Sequence, residues 1–308
     1  MKEDISVFDP EASKKRKKRR RLKENLTAYS FIAPNFIGFA IFTLGPIIFA
    51  LVLSFFKWDG SNPMEFIGVD NFTRMWGDVR VRTAFGNTVL YALGTVPLTL
   101  ACSLGLAIIL NQRIKGRNFF RTISFFPYVA SLVAVAAVWN MIFSPTVGPI
   151  NEILRLLGIV DPPRWAADSD WAMVTVIIFS VWKQMGYYMV IFLAGLQGIS
   201  SELYEAADLD GANRWGQFRH VTLPQLRPVT FFVLMMLTIN SFKVYDIIYM
   251  ITQGGPGTST LVLVYEIYNT AFRNWDLGYS SAISILLFLL VMVVTVLQVR
   301  GEKDFVKE

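Results

Sequence analysis

The chain has 308 residues, of which 54% are apolar and only 17% are charged, so it is more apolar than an ordinary soluble domain. One Cys and one His exclude both a disulfide framework and a Cys/His cage for a metal. Nine of the 29 Lys and Arg lie in the run from Lys14 to Lys23, which leaves the rest of the chain nearly neutral. Nucleic-acid binding is therefore not indicated, and the composition favours a membrane protein.

Six mostly apolar segments are each long enough to cross a bilayer as a helix, which takes roughly 20 residues. They are Ser30 to Phe56, Ala84 to Leu110, Phe119 to Phe143, Trp171 to Leu196, Pro228 to Ile251 and Ser280 to Val299. The first segment has no small-residue cleavage site after it and is too long for a signal peptide. The sequence predicts an all-α integral membrane protein with six transmembrane helices.

The distribution of basic residues predicts the orientation, because loops rich in Lys and Arg stay cytoplasmic. The two termini and the loops at residues 111–121 and 197–227 hold 20 basic residues, and the three opposite loops hold 7. Both termini should therefore be cytoplasmic, and the basic run serves as a topology signal near anionic headgroups. An alternative for that run is a targeting or nucleic-acid patch.

This orientation divides the chain into four predicted parts. A basic cytoplasmic segment (1–29) precedes the first transmembrane helix (30–56). A five-helix core (84–299) follows and includes a cytoplasmic loop (200–228), and a cytoplasmic tail ends the chain (300–308).

The cytoplasmic loop reads as two short helices around a glycine. Ser201 to Leu209 form the first, which we expect Ser201 to cap, and Gly211 ends it. Helical character resumes at Arg214 and should break at Leu223 and Pro224. A soluble partner protein can bind to such a protruding knob.

The residues of this loop also match a known motif. They are Glu205, Ala206, Ala207, Gly211, Val221, Leu223 and Pro224. Their spacing resembles the EAA loop of permease subunits of binding-protein-dependent ABC importers, and only Val221, where the family has Ile, departs from the pattern. The stretches Gly116 to Tyr128 and Thr252 to Tyr279 resemble the carbohydrate-uptake, maltose-type branch.

The resemblance implies a type I ABC importer permease fold in a prokaryotic cytoplasmic membrane, importing a sugar or related solute. The sequence has no Gly-Lys-Ser/Thr phosphate loop, so ATP and Mg should bind a separate ATPase, with no cofactor or metal on this chain. The implied partners are a second permease subunit in a heterodimer, an ATPase dimer docking on the EAA loop, and an extracytoplasmic solute-binding protein. Glu205 would pair with a cationic residue of the ATPase; the alternative is an exposed helix-cap acid.

Two predicted spans carry polar side chains that suit a solute pathway. Ser180, Lys183, Gln184 and Tyr187 share one face of the fourth span. The fifth contains Asn240, Ser241, Lys243, Tyr245 and Asp246. Hydroxyls, amides and aromatic faces suit a sugar, and a buried charge is costly enough to need water, solute or a counter-ion. The alternative is that Lys183, Lys243 and Asp246 form a structural ion pair or hydrogen bonds inside the helix bundle.

Three other functions compete with a sugar importer. An ABC permease for glycerol phosphate would use the surplus intramembrane positive charge, and an ion-coupled secondary transporter would need no ATPase. A membrane enzyme is disfavoured by the single His, by Cys102 in an apolar segment, and by the lack of an intramembrane acid pair.

Overall fold

The computed structural model describes residues 10–112 and 114–305, with side chains at 20–112 and 114–302. The chain divides into two units, Met1–Val52 and Leu53–Glu308. The first nine residues of the predicted N-terminal segment and the last three of the predicted tail lie outside the described part.

The first unit is a helix that continues from the basic run into the first apolar segment. It consists of α1 (Pro10–Phe39), a π-helical turn (Ala40–Leu44) and α2 (Gly45–Leu53). Pro46 has no N–H to donate to the preceding turn. The helix widens just before it, where the N–H of Gly45 donates to the carbonyl of Ala40.

The second unit begins with a small hairpin and two helices. Strands β1 (Phe56–Lys57) and β2 (Glu65–Phe66) pair antiparallel, with Phe56 opposite Phe66. Helix α3 (Asp70–Gly77) leads into α4 (Val79–Asn111). Asp78 caps α4, since its carboxylate accepts a hydrogen bond from the N–H of Arg80 at 2.8 Å.

The third predicted span is broken in the middle. Helices α5 (Arg117–Val129) and α6 (Leu132–Ile142) meet at an angle of 101°. Outside this bend lie α7 (Pro149–Leu156) and a short 3₁₀ turn (Trp165–Ala167), which precede the long helix α8 (Ser169–Gln197). The predicted span 119–143 is therefore two helices rather than one continuous helix.

The loop that was predicted to be cytoplasmic and the predicted fifth span form five helices. These are α9 (Ser201–Leu209), α10 (Arg214–Gln217) with a π-helical turn (Phe218–Thr222), α11 (Leu223–Gln225), α12 (Arg227–Phe242) and α13 (Asp246–Ile251). The fifth span thus ends at Phe242 rather than running to Ile251. The chain finishes with α14 (Leu263–Tyr268), a π-helical turn (Asn269–Arg273) and α15 (Leu277–Phe305).

Membrane-spanning potential agrees with the predicted class. Within the part of the chain that the structure describes, four helical stretches are long and apolar enough to cross a bilayer: Arg20–Leu53, Val79–Asn111, Ser169–Gln197 and Leu277–Glu302. Two bent pairs, α5 with α6 and the α10–α11 segment with α12, raise the number to as many as six if each crosses as one span. The chain is therefore a helical protein with four to six candidate spans.

Helix α8 lies at the centre of the second unit, where α4 and α5 pack against it. Gly186 permits the approach of α5, because a Cβ at this position would lie 1.8 Å from the carbonyl oxygen of Ser124. Toward its start α8 contributes Phe179 to a core shared with Tyr91 of α4. Toward its end it contributes Phe192 to a second core that includes Leu226, at the base of the 200–228 loop.

Candidate functional site

The EAA motif lies on a short exposed helix. Glu205, Ala206 and Ala207 are in the middle of α9, which has no buried residue. The cap of α9 is Ser200, whose hydroxyl accepts a hydrogen bond from the N–H of Glu202 at 3.3 Å. Ser201 was therefore the wrong cap by one residue, and it lies inside the helix.

Gly211 forms the turn that the motif predicts. Its φ is +78°, in the left-handed region that side-chain-bearing residues avoid. The N–H of Gly211 donates to the carbonyl of Asp208 at 3.0 Å, and that of Ala212 to the carbonyl of Ala207 at 2.9 Å. The chain reverses here, and Asn213 caps α10 by accepting a hydrogen bond from Gly216 at 2.8 Å.

The knob formed by residues 201–217 presents apolar side chains to solvent. Leu209 is 90% exposed and Trp215 is 66% exposed. Glu205 and Ala206 are also exposed. An exposed patch that combines an aromatic residue, an aliphatic residue and an acid is typical of a surface that another protein covers.

The base of the knob is held rigidly. The hydroxyls of Tyr204 and Thr222 are 3.0 Å apart and tie α9 to the π-helical turn. Leu223 and Pro224 do not break the helix as expected, because helical structure continues to Gln225. The 65° bend lies instead at Leu226, which is fully buried.

The predicted pathway residues of α8 have different surroundings. Ser180 is buried; its hydroxyl accepts a hydrogen bond from Tyr91 at 2.8 Å and donates to the carbonyl of Val176 at 2.7 Å. Lys183 is half-buried, and its Nζ donates to the carbonyls of Pro127 and Ala130 at 2.9 and 3.2 Å. These carbonyls end α5 at the 101° bend, where a helix C-terminus attracts positive charge.

The three intramembrane charges are not brought together. Lys243 and Asp246 are exposed at the break between α12 and α13. Among the side chains described, neither Lys183 nor Lys243 forms an ion pair with Asp246. The charge on Lys183 is compensated by carbonyl oxygens rather than by an acid.

Polar and aromatic groups converge between α5, α8 and α12. Tyr187 stacks on Tyr128, with ring centroids 4.5 Å apart and planes 16° apart. The exposed amide of Asn240 donates to the hydroxyl of Tyr188 at 3.2 Å. Gln184 is half-buried on the face that Tyr187 shares. Ser241 is buried, and its hydroxyl has no hydrogen-bond partner within the described chain.

Tyr245 belongs to an aromatic cluster that sequence reasoning missed. Its ring centroid is 5.7 Å from that of Tyr249, 6.0 Å from that of Tyr265 and 5.1 Å from that of Tyr268. The guanidinium of Arg273 lies 5.9 Å from the ring centroids of Tyr265 and Tyr268. Tyr245 and Tyr249, and likewise Tyr265 and Tyr268, have helical spacing, but the two pairs lie at different helices. Helical periodicity therefore could not have revealed that the pairs meet.

The end of the second unit opposite the knob carries a charged network. Arg80 donates two hydrogen bonds to the buried carboxylate of Glu266, at 2.9 and 2.7 Å. Arg74 pairs with Asp276 at 2.7 Å and lies 3.9 Å from the ring centroid of Tyr279. Nearby, hydrogen bonds from the backbone N–H groups of Asn62 and Ser61 lower the pKa of Asp59 to about 2, so this exposed carboxylate is ionised at neutral pH.

A polar cleft of about 670 Å³ opens at this end, between the hairpin, α3 and the segment before α15. Its lining includes Trp58, Asp59, Arg74 and Trp275. In the stretches that the structure describes, no group of three or more His, Cys, Asp or Glu is placed to hold a metal ion.

Comparison with known proteins assigns this arrangement to a family. The sequence profile of the inner membrane component of binding-protein-dependent transport systems matches residues 96–306, which include the whole knob and its supporting helices. The chain belongs to this family of ABC importer permeases. It is a transport subunit rather than an enzyme, and in importers of this kind the ATPase is a separate subunit.

Individual relatives cover nearly the whole chain. The permease is 39% identical to the probable ABC transporter permease protein YesP of Bacillus subtilis (strain 168) over 286 residues, 92% of each chain. It is 36% identical over 285 residues to the lactose transport system permease protein LacF of Rhizobium radiobacter, covering 91% of this chain and 95% of LacF.

A solved structure has the same fold. A chain in the crystal structure of a bacterial ABC transporter involved in the import of the acidic polysaccharide alginate matches with a TM-score of 0.82. The match covers 94% of the permease and 99% of that chain at 24% identity. The permease therefore has the type I ABC importer fold.

Proposed function

We propose that this permease imports a sugar or related solute, delivered by an extracytoplasmic solute-binding protein and driven by ATP hydrolysis on a separate ATPase dimer. The observation that carries the proposal is the knob. The EAA motif, from which only Val221 departs, begins on an exposed helix that ends at a left-handed glycine, and the knob is anchored to the buried core at Leu226. Relatives named for lactose and arabinooligosaccharides support a carbohydrate as the solute class.

The knob is the proposed docking point for the ATPase. Ala206 has a side chain small enough for close approach, and the exposed Leu209 offers apolar area to bury. Glu205 has no ion-pair partner among the described side chains and is the proposed mate for a cationic residue on the ATPase. ATP and Mg would bind to that subunit, and this chain would hold no cofactor.

Movement at the knob can pass directly into the membrane helices. A Cβ on Gly195 would lie 2.9 Å from Val229 and 3.0 Å from Leu226, so the end of α8 and the start of α12 are in tight contact. Packed helices shift as units because their interface is not continuously deformable. ATPase closure would therefore tilt α12 and α8 together.

The proposed solute pathway follows the groups that face α8 from both sides. The Tyr128–Tyr187 stack and Tyr245 offer aromatic faces for sugar rings, and Gln184 and Asn240 offer amides for hydroxyls. Ser180 and Lys183 support this wall from behind, through Tyr91 and the α5 carbonyls. A second permease subunit would complete the pathway in a heterodimer.

The sidedness of this proposal rests on the basic-residue distribution. The knob and both termini would be cytoplasmic, and the cleft beside Trp58 and Trp275 would face the binding protein. The assembled transporter would lie in a prokaryotic inner membrane.

ATP hydrolysis by the assembled transporter tests the solute class. The purified complex with its binding protein is reconstituted, and a panel of mono- and oligosaccharides, glycerol phosphate and amino acids is compared. Stimulation by a sugar supports the proposal. Stimulation by glycerol phosphate alone, or ion-coupled uptake without ATP, would contradict it.

A further inference from the structure

We propose that a pocket between the base of the knob and the C-terminal helix α15 binds the phosphate and one acyl chain of an anionic phospholipid. The pocket has a volume of about 550 Å³. It is bounded by the α10–α11 segment, α12 and the end of α15. Nothing in the transport cycle described above requires this pocket.

The wall of the pocket is apolar. Leu223, Pro224, Phe231 and Leu234 contribute side chains to it. Gln298 of α15, which lines the pocket, donates to the hydroxyl of Thr238 on α12 at 2.8 Å and joins the two helices. An apolar slot between two helices that belong to candidate membrane spans suits an acyl chain rather than a soluble metabolite.

The same pocket carries two arginines. Arg219 and Arg227 both line it, and Glu302 is the one acid among the described lining residues, so the described lining carries a net positive charge. Basic pockets between transmembrane helices on the cytoplasmic side are typical sites for anionic lipid headgroups, and guanidinium groups bind phosphate oxygens in two-point geometry. Charge and apolar lining together indicate a phospholipid with a net negative headgroup.

The pocket's position gives a bound lipid a consequence for coupling. Leu223 and Pro224 belong both to the pocket wall and to the EAA motif. A lipid in the slot would stabilise the 65° bend that supports the knob. The proposed orientation decides only which leaflet of the membrane supplies the lipid. Lipid binding itself does not depend on the proposed solute.

Photo-cross-linking in the complete transporter tests the site. The complex is reconstituted in nanodiscs containing phosphatidylcholine with a trace of photoactivatable phosphatidylglycerol or, in parallel, photoactivatable phosphatidylcholine. Peptides carrying adducts are mapped by mass spectrometry. We expect phosphatidylglycerol adducts on residues 219–234 and 298–302, reduced by unlabelled phosphatidylglycerol but not by phosphatidylcholine.

Variants define the contribution of charge and of space. Arg219→Gln should lower phosphatidylglycerol labelling about fivefold, in line with the contribution of one basic residue near an anionic surface. Thr230→Phe should lower it by filling the slot without changing charge. The matched control Arg214→Gln removes the same charge from the same loop outside the pocket and should leave labelling unchanged.

Two results would overturn the proposal. Equal labelling by phosphatidylcholine and phosphatidylglycerol in the wild-type complex would show ordinary lipid contact without headgroup recognition. Absence of any lipid adduct in these peptides would show that a protein partner covers the pocket. Because the readout is lipid labelling, either result leaves the transport proposal intact.

Discussion

Replacing Lys183 by Met should destabilise the bend between α5 and α6 rather than alter solute choice. Its Nζ donates to two carbonyls at the end of α5, at 2.9 and 3.2 Å. Each carbonyl left without a donor costs about 1–3 kcal/mol when buried. Lys183 is only half-buried, so water can reach part of the gap. We therefore expect a loss near the bottom of the combined range for two carbonyls, about 2–3 kcal/mol.

Reversible unfolding of the purified permease in mixed micelles measures this loss as a change in the free energy of unfolding. Lys183→Arg keeps a positively charged hydrogen-bond donor at this position and should retain at least half of the stability that Lys183→Met loses. Lys243→Met is the matched control, because Lys243 is exposed and no bond of its Nζ is described; its effect should stay within about 0.5 kcal/mol.

A double variant separates this account from an ion pair. Because Lys183 and Asp246 form no ion pair among the described side chains, Lys183→Met and Asp246→Asn should add within about 0.5 kcal/mol. The reasoning would be refuted if Asp246→Asn alone were as damaging as Lys183→Met and the double variant were no worse than either. An altered solute preference in Lys183→Met at normal stability would likewise place the ammonium in the pathway.

Four further predictions address the knob, its contact with α8, the charged network and the orientation. Gly211→Ala should lower the free energy of unfolding by about 1–2 kcal/mol in the same assay, because the φ of Gly211 is +78° and no atom nearby would obstruct a side chain. Gly211→Asn should lower it by less, since Asn tolerates this φ better than Ala. Equal losses in the two variants would indicate a steric cause instead. Gly195→Val should reduce uptake by crowding Leu226 and Val229, whereas Gly198→Ala, whose nearest contact is 3.4 Å away, should not; normal uptake in Gly195→Val would exclude this contact as the coupling route. Arg80→Gln should lower the free energy of unfolding by about 3 kcal/mol, because the buried carboxylate of Glu266 loses its partner. The double variant Arg80→Gln/Glu266→Gln should recover stability. If it does not, Arg80 stabilises the permease through a contact other than Glu266. In a background without Cys102, a cysteine at Asp210 should react with an impermeant thiol reagent only from the cytoplasmic side and one at Ser61 only from outside; the reverse pattern would remove the ATPase from reach of the knob.

The knob was the most predictable part of the molecule, because its information is local. Caps, a helix-ending glycine and a fixed spacing of small residues determine a short helix–turn–helix without help from distant contacts. The misplaced cap shows the limit of that information: Ser200 and Ser201 are both competent, and only the backbone geometry selects Ser200.

The bend in the third span was not predictable from its own residues. Pro127 lies inside α5, and the helix ends after Val129, at no glycine or second proline. The donors that satisfy the freed carbonyls come from Lys183, 56 and 53 residues away. Hydropathy detects a segment long enough to cross, but not a tertiary contact that stabilises a break within it.

Residues that helical periodicity places on one face of α8 also differ in what surrounds them in the structure. Ser180 and Tyr187 lie seven residues apart on α8 and share a side of the helix. Tyr91 packs over the first and Tyr128 stacks on the second. Helical periodicity predicts which side of α8 a residue faces. The neighbouring helices determine whether that residue is buried in the core or lines the proposed pathway.

The role of the knob in coupling is tested by uptake and ATP hydrolysis measured together in proteoliposomes with wild-type and Glu205→Lys permease. We expect the variant to insert and to assemble with its partner permease, but to bind the ATPase weakly and to lose solute-stimulated hydrolysis and uptake together. Glu202→Lys, which reverses a charge in the same exposed helix outside the EAA motif, should retain far more of both. Wild-type hydrolysis and uptake in Glu205→Lys would contradict the claim that this knob couples the permease to its ATPase.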